Sequence, residues 1–234
     1  MIRKRPNDRS ANRHERSSFW QKCTNLRALK QVHASMVVNG FNSNYSAIRE
    51  LIFAGAMAIS GTIDYAHQLF VHVAEPDTFM WNTMIRGSAQ SQSPLNAIVL
   101  YTQMENRHAR PDSFTFPFIL KACTKLSWVK MGMGIHGKVV RFGFESNTFV
   151  RNTLIYFHAN YMYSKCGSIE RALEVFQSMR DKDVSSWNSV IGGLAFHGHA
   201  EESVNLFKEM RRLKIRPNEI TFVGVLVACS HAGK

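Results

Sequence analysis

Apolar side chains recur at helical spacing along residues 78–112 of this chain. The first series is Trp81, Met84 and Ile85, and the second is Ala97, Leu100, Tyr101 and Met104. This spacing places apolar residues on one face of a helix, and polar residues 91–94 separate the two series. The pattern predicts two helices joined by a turn. Pro111 ends the unit, because proline lacks an amide hydrogen, fixes φ and cannot continue a helix.

The same pattern returns 106 residues later, over residues 184–218, without a gap. Trp81-Asn82 corresponds to Trp187-Asn188, Met104 to Met210, and Arg110-Pro111-Asp112 to Arg216-Pro217-Asn218. Self-similarity at a fixed period is typical of repeat arrays. A single helical hairpin cannot bury its apolar face alone, so neighbouring hairpins must stack. The sequence therefore predicts an all-α solenoid of helix–turn–helix repeats.

Weaker similarities divide the rest of the chain into related repeats. We predict a basic N-terminal arm over residues 1–18 and one continuous array over residues 19–234. The predicted repeats are 19–44, 45–77, 78–112, 113–147, 148–183 and 184–218, with a partial repeat at 219–234. They are of three kinds, which follow one another in a fixed order and then begin again.

The composition indicates an anionic partner. Lys and Arg outnumber Asp and Glu by 29 to 17, which gives a net charge of +12, and 45% of the 234 residues are apolar. A strongly basic chain with a sizeable core favours nucleic acid as its partner. A basic surface that only aids solubility is the alternative. No apolar run approaches the roughly 18 residues of a membrane-spanning helix, so no membrane insertion is expected.

Motifs for catalysis or metal binding are weak. The cysteines stand singly, at Cys23, Cys123, Cys166 and Cys229, and this argues against a zinc site. A G-x-G-x-x-G motif at residues 132–137 follows a helical stretch, whereas a dinucleotide fold needs a strand there. We therefore expect no enzyme activity, no cofactor and no bound metal.

The stretch before the array is rich in Arg and Ser and lacks the apolar segment of a secretory signal. Two interpretations of residues 1–18 stay open. The stretch is an organellar transit peptide, or it is a disordered basic arm that adds contacts to phosphates.

Several motifs in register resemble those of plant pentatricopeptide repeat (PPR) proteins. These are W-N-x-x-I with a closing R-P-[DN], the string KCGSIERALEVF at residues 165–176, and helices with F-x-x-x-[LV]-x-A-C. The three alternating kinds of repeat resemble the P, L and S repeats of the PLS subfamily. The resemblance covers residues 19–234 and implies a right-handed superhelical solenoid related to tetratricopeptide arrays.

This resemblance also implies a function. Members of the family bind single-stranded organellar RNA, one base per repeat, and commonly serve in RNA editing or other transcript processing. The expected location is the mitochondrion, with the chloroplast as the alternative. Editing or processing proteins would be supplied in trans.

The chain departs from the family pattern in two places. Residues 148–183 are longer than their equivalent, residues 45–77, and two ends of a first helix follow each other near Tyr156–Tyr163. We expect that an internal deletion has joined two repeats there. We also expect a truncated array, because the sequence stops inside a repeat and nothing resembles the E or deaminase domains of editing factors. No H-x-E motif with a later P-C-x-x-C motif, the combination typical of zinc deaminases, is present.

In the family, the fifth and last residues of a repeat together recognise one base. The matching pairs are Asn82 with Asp112, Asn188 with Asn218, and Asn152 with Asp183. The resemblance implies that Asn82 and Asp112 prefer uracil, and that Asn188 and Asn218 accept a pyrimidine, with cytosine favoured. An amide suits this role because it offers both donors and an acceptor.

The alternative is that Asn82 and Asn188 cap helices, since both are expected in the first turn of a helix and Asn is a favoured N-cap. Arg49 and Pro117 stand fifth in other repeats. Neither offers a side-chain amide, so those repeats are expected to contribute little to base recognition.

Aromatic residues stand second in three repeats, at Phe79, Phe114 and Phe149. The resemblance implies that they sandwich bases, and aromatic faces stack on bases of any sequence. Burial of the rings between helices is the competing interpretation. For the whole chain the competing class is a protein-binding scaffold of tetratricopeptide type.

Overall fold

The computed structural model describes residues 24–160 and 168–233. These residues form helices joined by turns, and no strand occurs among them. The prediction of an all-α chain is confirmed. The predicted arm, residues 1–18, lies outside the described residues, as do Cys23 and Cys166.

The described residues contain twelve α-helices. In chain order they are α1 Leu26–Val38, α2 Tyr45–Phe53, α3 Ile63–Phe70, α4 Thr78–Gln90, α5 Leu95–Asn106, α6 Thr115–Lys125, α7 Val129–Arg141, α8 Thr148–Asn160, α9 Ser168–Gln177, α10 Val184–Phe196, α11 Ala200–Arg212 and α12 Glu219–His231. A π-helical turn, Ala54–Ala58, continues α2, and 3-10 turns occupy Phe41–Ser43 and Phe144–Ser146. Among the described residues, each predicted repeat from residue 45 to residue 218 contains two helices, while the repeat boundaries themselves stay a prediction.

Five of the first helices, α2, α4, α8, α10 and α12, begin directly after an Asn or Asp. In each case a side-chain oxygen accepts a hydrogen bond from the backbone N–H three residues on, which satisfies an otherwise unpaired donor. The capping residues are Asn44, Asp77, Asn147, Asp183 and Asn218. These caps fix where the first helices start.

The chain forms two compact units, residues 1–92 and residues 93–234. In the first unit, Leu29, Leu51 and Ala54 are buried together. The rings of Phe70 and Trp81 meet edge to face, with their centroids 4.8 Å apart. Apolar burial of this kind is the main stabilising contribution to the unit.

In the second unit, Phe176 and Trp187 form the same edge-to-face pair, again with centroids 4.8 Å apart. They belong to a buried cluster that includes Ile155, Ile191 and Met210. Trp81 and Trp187 are the residues that the sequence repeat aligns. The repeat in the sequence is therefore also a repeat in core packing.

A histidine pair, one ring buried and the other half-buried, joins α7 to α8. Nε2 of His158 lies 3.0 Å from Nδ1 of His136, and His158 is fully buried. Burial, followed by the charges of His136 and Arg171, lowers the pKa of His158 to about 4. Burial also lowers the pKa of His136. Both rings are therefore neutral at pH 7, and one donates to the other.

The expected junction of two repeats falls at the gap between the described segments. Helix α8 ends at Asn160, and α9 begins at Ser168. The predicted extended helix, Tyr156–Tyr163, lies partly outside the described residues.

Candidate nucleic-acid interface

First helices of successive repeats pack side by side. Helix α10 packs against α8 and α12, and α2 packs against α4. Because the last residue of a repeat caps the following first helix, this packing brings it close to the fifth residue of the helix before.

Asn188 and Asn218 are in direct contact. Nδ2 of Asn188 donates to Oδ1 of Asn218 over 2.9 Å. The same Asn218 oxygen caps α12 by accepting from the N–H of Thr221 over 3.1 Å. Asn188 is half-buried and Asn218 is exposed. The structure thus brings together the fifth and last residues that the sequence paired.

Asn152 and Asp183 meet in the same way. Nδ2 of Asn152 donates to Oδ1 of Asp183 over 3.3 Å. Burial raises the pKa of the Asp183 carboxyl, but hydrogen bonds from Ser186, Asn152 and Ser185 outweigh it and hold the pKa below its usual value. Asp183 is therefore ionised at neutral pH and only accepts hydrogen bonds.

Asn82 and Asp112 belong to different compact units. Asn82 is half-buried as the fifth residue of α4. Oδ1 of Asp112 accepts from the N–H groups of Phe114 and Thr115, over 2.8 Å and 3.1 Å. Asn82 has the same place in its helix as Asn188, whereas α6 begins three residues after Asp112. The joint action of Asn82 and Asp112 stays a prediction.

The sequence-based alternative assigned helix capping to the wrong members of the pairs. Helix α4 is capped by Asp77 and α10 by Asp183, so Asn82 and Asn188 begin the second turn and not the first. The reason is that α4 and α10 each start one residue after the last residue of the preceding repeat. Capping accounts for Asp or Asn at the last position, and it leaves the amide at the fifth position unexplained.

Two hydroxyl groups that the sequence reasoning missed complete these pairs. Oγ of Ser186 donates to Oδ1 of Asn152 over 2.8 Å, and Oγ1 of Thr221 donates to Oδ1 of Asn188. Each hydroxyl belongs to the third residue of the following first helix. The signal in the sequence was a Ser or Thr at that place.

The second-position phenylalanines lie on the surface. Phe79, Phe114 and Phe149 are 41%, 62% and 45% exposed, so burial between helices is the wrong interpretation for these rings. The centroids of Phe114 and Phe149 are 6.4 Å apart. All three rings keep exposed surface, although the guanidinium group of Arg49 covers one face of Phe79.

A different arrangement occurs where Arg49 stands fifth. Its Nε lies 3.5 Å from Oδ2 of Asp77, and its guanidinium group lies over the ring of Phe79, 4.0 Å from the centroid. The cation pairs with the last residue of its repeat and covers an aromatic ring.

The described residues contain no membrane-spanning helix and no metal site. None of the described helices is long and apolar enough to cross a membrane. No group of three or more His, Cys, Asp or Glu side chains in residues 24–160 and 168–233 could hold a metal ion. The G-x-G-x-x-G motif lies inside helix α7.

The fold and the recurring polar pairs define a helical-repeat protein. The model of the PPR repeat family matches residues 76–125 and 182–231, and that of the PPR repeat matches residues 161–184. The chain belongs to the pentatricopeptide repeat family.

Curated relatives come from Arabidopsis thaliana. Pentatricopeptide repeat-containing protein At5g15300 is 32% identical over an alignment that covers 100% of this chain and 72% of that protein. Pentatricopeptide repeat-containing protein At2g22410, mitochondrial, is 34% identical, with 92% of this chain and 31% of that protein covered. Two further relatives are covered over 54% and 28% of their lengths.

The first of these alignments is longer than the chain. Its 397 positions outnumber the 234 residues by 163, so at least that many positions of the alignment face gaps in this chain. Among solved structures, the crystal structure of the pentatricopeptide repeat protein PPR10 from maize has a TM-score of 0.62 at 21% identity. It is covered over 27% of its length and covers 81% of this chain. This likeness confirms the helical-repeat fold.

Proposed function

We propose that this protein binds single-stranded RNA and discriminates between bases through the fifth and last residues of its repeats. The observation that carries the proposal is the contact between Asn188 and Asn218, repeated between Asn152 and Asp183. An exposed or half-buried amide offers donor and acceptor groups to the edge of an unpaired base, and helical repeats read RNA with two or three side chains each.

The hydrogen-bond inventory supports this role. Among the described residues, the recorded partners of the Asn188 amide are Asn218 and Thr221. One Nδ2 hydrogen and one Oδ1 lone pair therefore remain for a ligand. A base edge that offers an acceptor beside a donor matches these two groups.

Two further features support an RNA partner. The net charge of +12 favours binding to a phosphate backbone. The exposed rings of Phe79, Phe114 and Phe149 offer faces on which bases can stack. Both contributions are independent of base sequence, so they add affinity while the amide pairs add selectivity.

We further propose an organellar role in RNA editing or other transcript processing, with the catalytic proteins supplied in trans. The mitochondrion is the favoured location and the chloroplast the alternative. Family membership supports an organellar location, and so does the word mitochondrial in the name of one relative. In this proposal the chain itself performs no chemistry and supplies the RNA contacts.

The test is selection of RNA from a randomised single-stranded pool by the purified chain, followed by affinity measurement on the selected sequence. We expect an enriched motif with one preferred base for each amide pair. Affinity should fall with salt, with a log–log slope of about −0.7 for each neutralised phosphate on a single strand. Equal affinity for duplex and single strand, or independence of salt, would contradict the proposal.

The role of the amide is tested by Asn188→Thr against Asn205→Thr. Asn205 is an exposed asparagine of α11, so it controls for the loss of an amide elsewhere. We expect Asn188→Thr to change the preference at one nucleotide of the motif and Asn205→Thr to change none. Parallel loss on every RNA would assign Asn188 a structural role.

A further inference from the structure

The hydroxyl contacts to the fifth-position amides recur at equivalent places. Ser186 contacts Asn152 in α8, and Thr221 contacts Asn188 in α10. Both hydroxyl residues are fully buried, whereas the amides they contact reach the surface. Each hydroxyl thus belongs to one first helix and forms a hydrogen bond with a side chain of the first helix before it.

Wherever Asn is the fifth residue of a repeat, a Ser or Thr occurs near the start of the next repeat. After a repeat with Asn at its fifth position, the third residue of the next repeat carries a hydroxyl; after a repeat with another fifth residue, it is apolar. The first group is Asn82 with Thr115, Asn152 with Ser186, and Asn188 with Thr221, and the second is Cys23 with Ala47, Arg49 with Met80, and Pro117 with Val150. All six junctions obey the pattern.

Helix capping does not explain this pattern. Asn44, Asp77 and Asn147 cap their helices by accepting from the backbone N–H of the third residue, over 2.8–3.1 Å. Those third residues are apolar. A hydroxyl is therefore unnecessary for this cap bond. In α12 the Thr221 hydroxyl also accepts from the N–H of Asn218 and completes a capping box, but that bond does not involve Asn188 and does not explain why a hydroxyl recurs beside Asn.

The geometry around Asn188 gives the reason. The N–H of Thr221 fixes Oδ1 of Asn218 as an acceptor, and this acceptor turns Nδ2 of Asn188 towards it. The Thr221 hydroxyl then donates to Oδ1 of Asn188. A flipped Asn188 amide would bring its Oδ1 against Oδ1 of Asn218, and the Thr221 hydroxyl would have to accept instead of donate. Asn218 and Thr221 together therefore favour one orientation of the remaining donor and acceptor.

We propose that Thr221 and Ser186 are positioning residues for base selection. This inference rests on the proposed RNA-binding function. The hydroxyl contacts the amide of the fifth residue and not the base. It converts an amide that could present its two ends in either order into one with a fixed order of donor and acceptor.

The experiment uses the intact chain with Thr221→Val, which keeps the branched shape, and Thr221→Ser, which keeps the hydroxyl. The measured quantity is the ratio of affinities for two RNAs that differ at the nucleotide read by Asn188, identified beforehand with the Asn188→Thr variant. We expect Thr221→Val to reduce this ratio about 2- to 10-fold, as befits the loss of one hydrogen bond. Thr221→Ser should restore the ratio.

Thr102→Val is the matched control, because it removes a hydroxyl that bonds only to a backbone oxygen of its own helix in α5. It should leave the ratio unchanged. Ser186→Ala gives an independent test at the nucleotide read by Asn152, and it serves if Thr221→Val does not fold. An unchanged ratio with equally weakened binding to both RNAs would make the hydroxyl purely structural and overturn the inference. A wild-type protein without base preference would instead overturn the proposed function itself.

Discussion

Residues 45–82 and residues 148–188 are two versions of the same construction, and we call them the Arg49 region and the Asn152 region. Their cores agree closely: Phe70 and Trp81 meet at 4.8 Å with an interplanar angle of 77°, and Phe176 and Trp187 meet at 4.8 Å with 80°. Their caps also agree. Asp77 and Asp183 each accept from the backbone N–H three residues on, over 2.8 Å.

The regions differ in what the fifth residue presents. Arg49 pairs with Asp77 and covers Phe79, so charge is neutralised and one face of an aromatic ring is occupied. Asn152 is held by Asp183 and Ser186. The core and the helix cap are therefore the same in the two regions. The polar surface differs with the fifth residue of the repeat and the third residue of the next repeat.

The largest expected effect tests whether the two cores are equivalent. Trp81→Ala and Trp187→Ala should each lower the free energy of unfolding by about 3–5 kcal/mol, because each removes a fully buried indole and leaves a cavity. Denaturant titration of each variant measures the loss. Trp128, which is 44% exposed, provides the control, and Trp128→Ala should cost clearly less. A much smaller loss for Trp187→Ala than for Trp81→Ala would end the equivalence.

The second prediction concerns a residue that only the Asn152 region has. His158 has a pKa of about 4 in the folded chain and about 6.5 when unfolded, whereas Gly55 occupies the equivalent place. Above pH 6.5 the ring is neutral in both states. Between pH 6.5 and pH 4 only the unfolded chain takes up the proton, so stability falls as the pH is lowered, by up to about 3 kcal/mol.

Unfolding of the wild type and of His158→Gln at pH 7 and pH 4.5 measures this effect. Glutamine can still bond to His136 but does not titrate, so the variant should lose less stability on acidification. His67→Gln is the control, since His67 is exposed. An identical pH dependence of wild type and His158→Gln would show that the buried pair does not govern acid sensitivity.

Much of this organisation could be predicted from the sequence. The match of Trp81 to Trp187 set the repeat register, and helical spacing indicated helix pairs. The pairing of Asn188 with Asn218 came from family resemblance, and the structure places the two in contact. The sequence did not show which residue caps which helix. When a helix starts one residue earlier or later, a different polar residue becomes its N-cap.

Contacts between helices were harder to foresee. The hydroxyl of Thr221 reaches Asn188 across 33 positions, and only the packing of α10 against α12 makes them neighbours. The same holds for His136 and His158, which come from separate helices. Periodicity within one helix does not determine which face of the next helix it contacts. Such pairs can therefore be recognised only when the packing is known.

The third prediction exchanges the polar faces. Asn152→Arg should pair with Asp183 as Arg49 pairs with Asp77 and remove the amide from the surface. We expect selectivity at one nucleotide to fall by about 1–3 kcal/mol, the size of a good base contact. Overall affinity should hold because a positive charge is added. Binding assays on RNAs that differ at that nucleotide measure both quantities, and the nucleotide read by Asn188 is the internal control.

The smallest expected effect separates capping from charge. Asp77→Ala and Asp183→Ala remove a cap and should each cost about 1 kcal/mol of unfolding free energy. Asparagine is also a good cap, as Asn218 shows in α12. Asp77→Asn should therefore lose only its exposed ion pair with Arg49, which is worth about 0.2–1 kcal/mol.

Asp183→Asn keeps both the cap and an oxygen that can accept from Asn152, and no cation pairs with Asp183 among the described residues. Its cost should be smaller still. Paired denaturant titrations of the four variants provide the measurement. If Asp183→Asn costs as much as Asp183→Ala, the negative charge of Asp183 and not its capping geometry stabilises the start of α10, and the caps of the two regions are not equivalent.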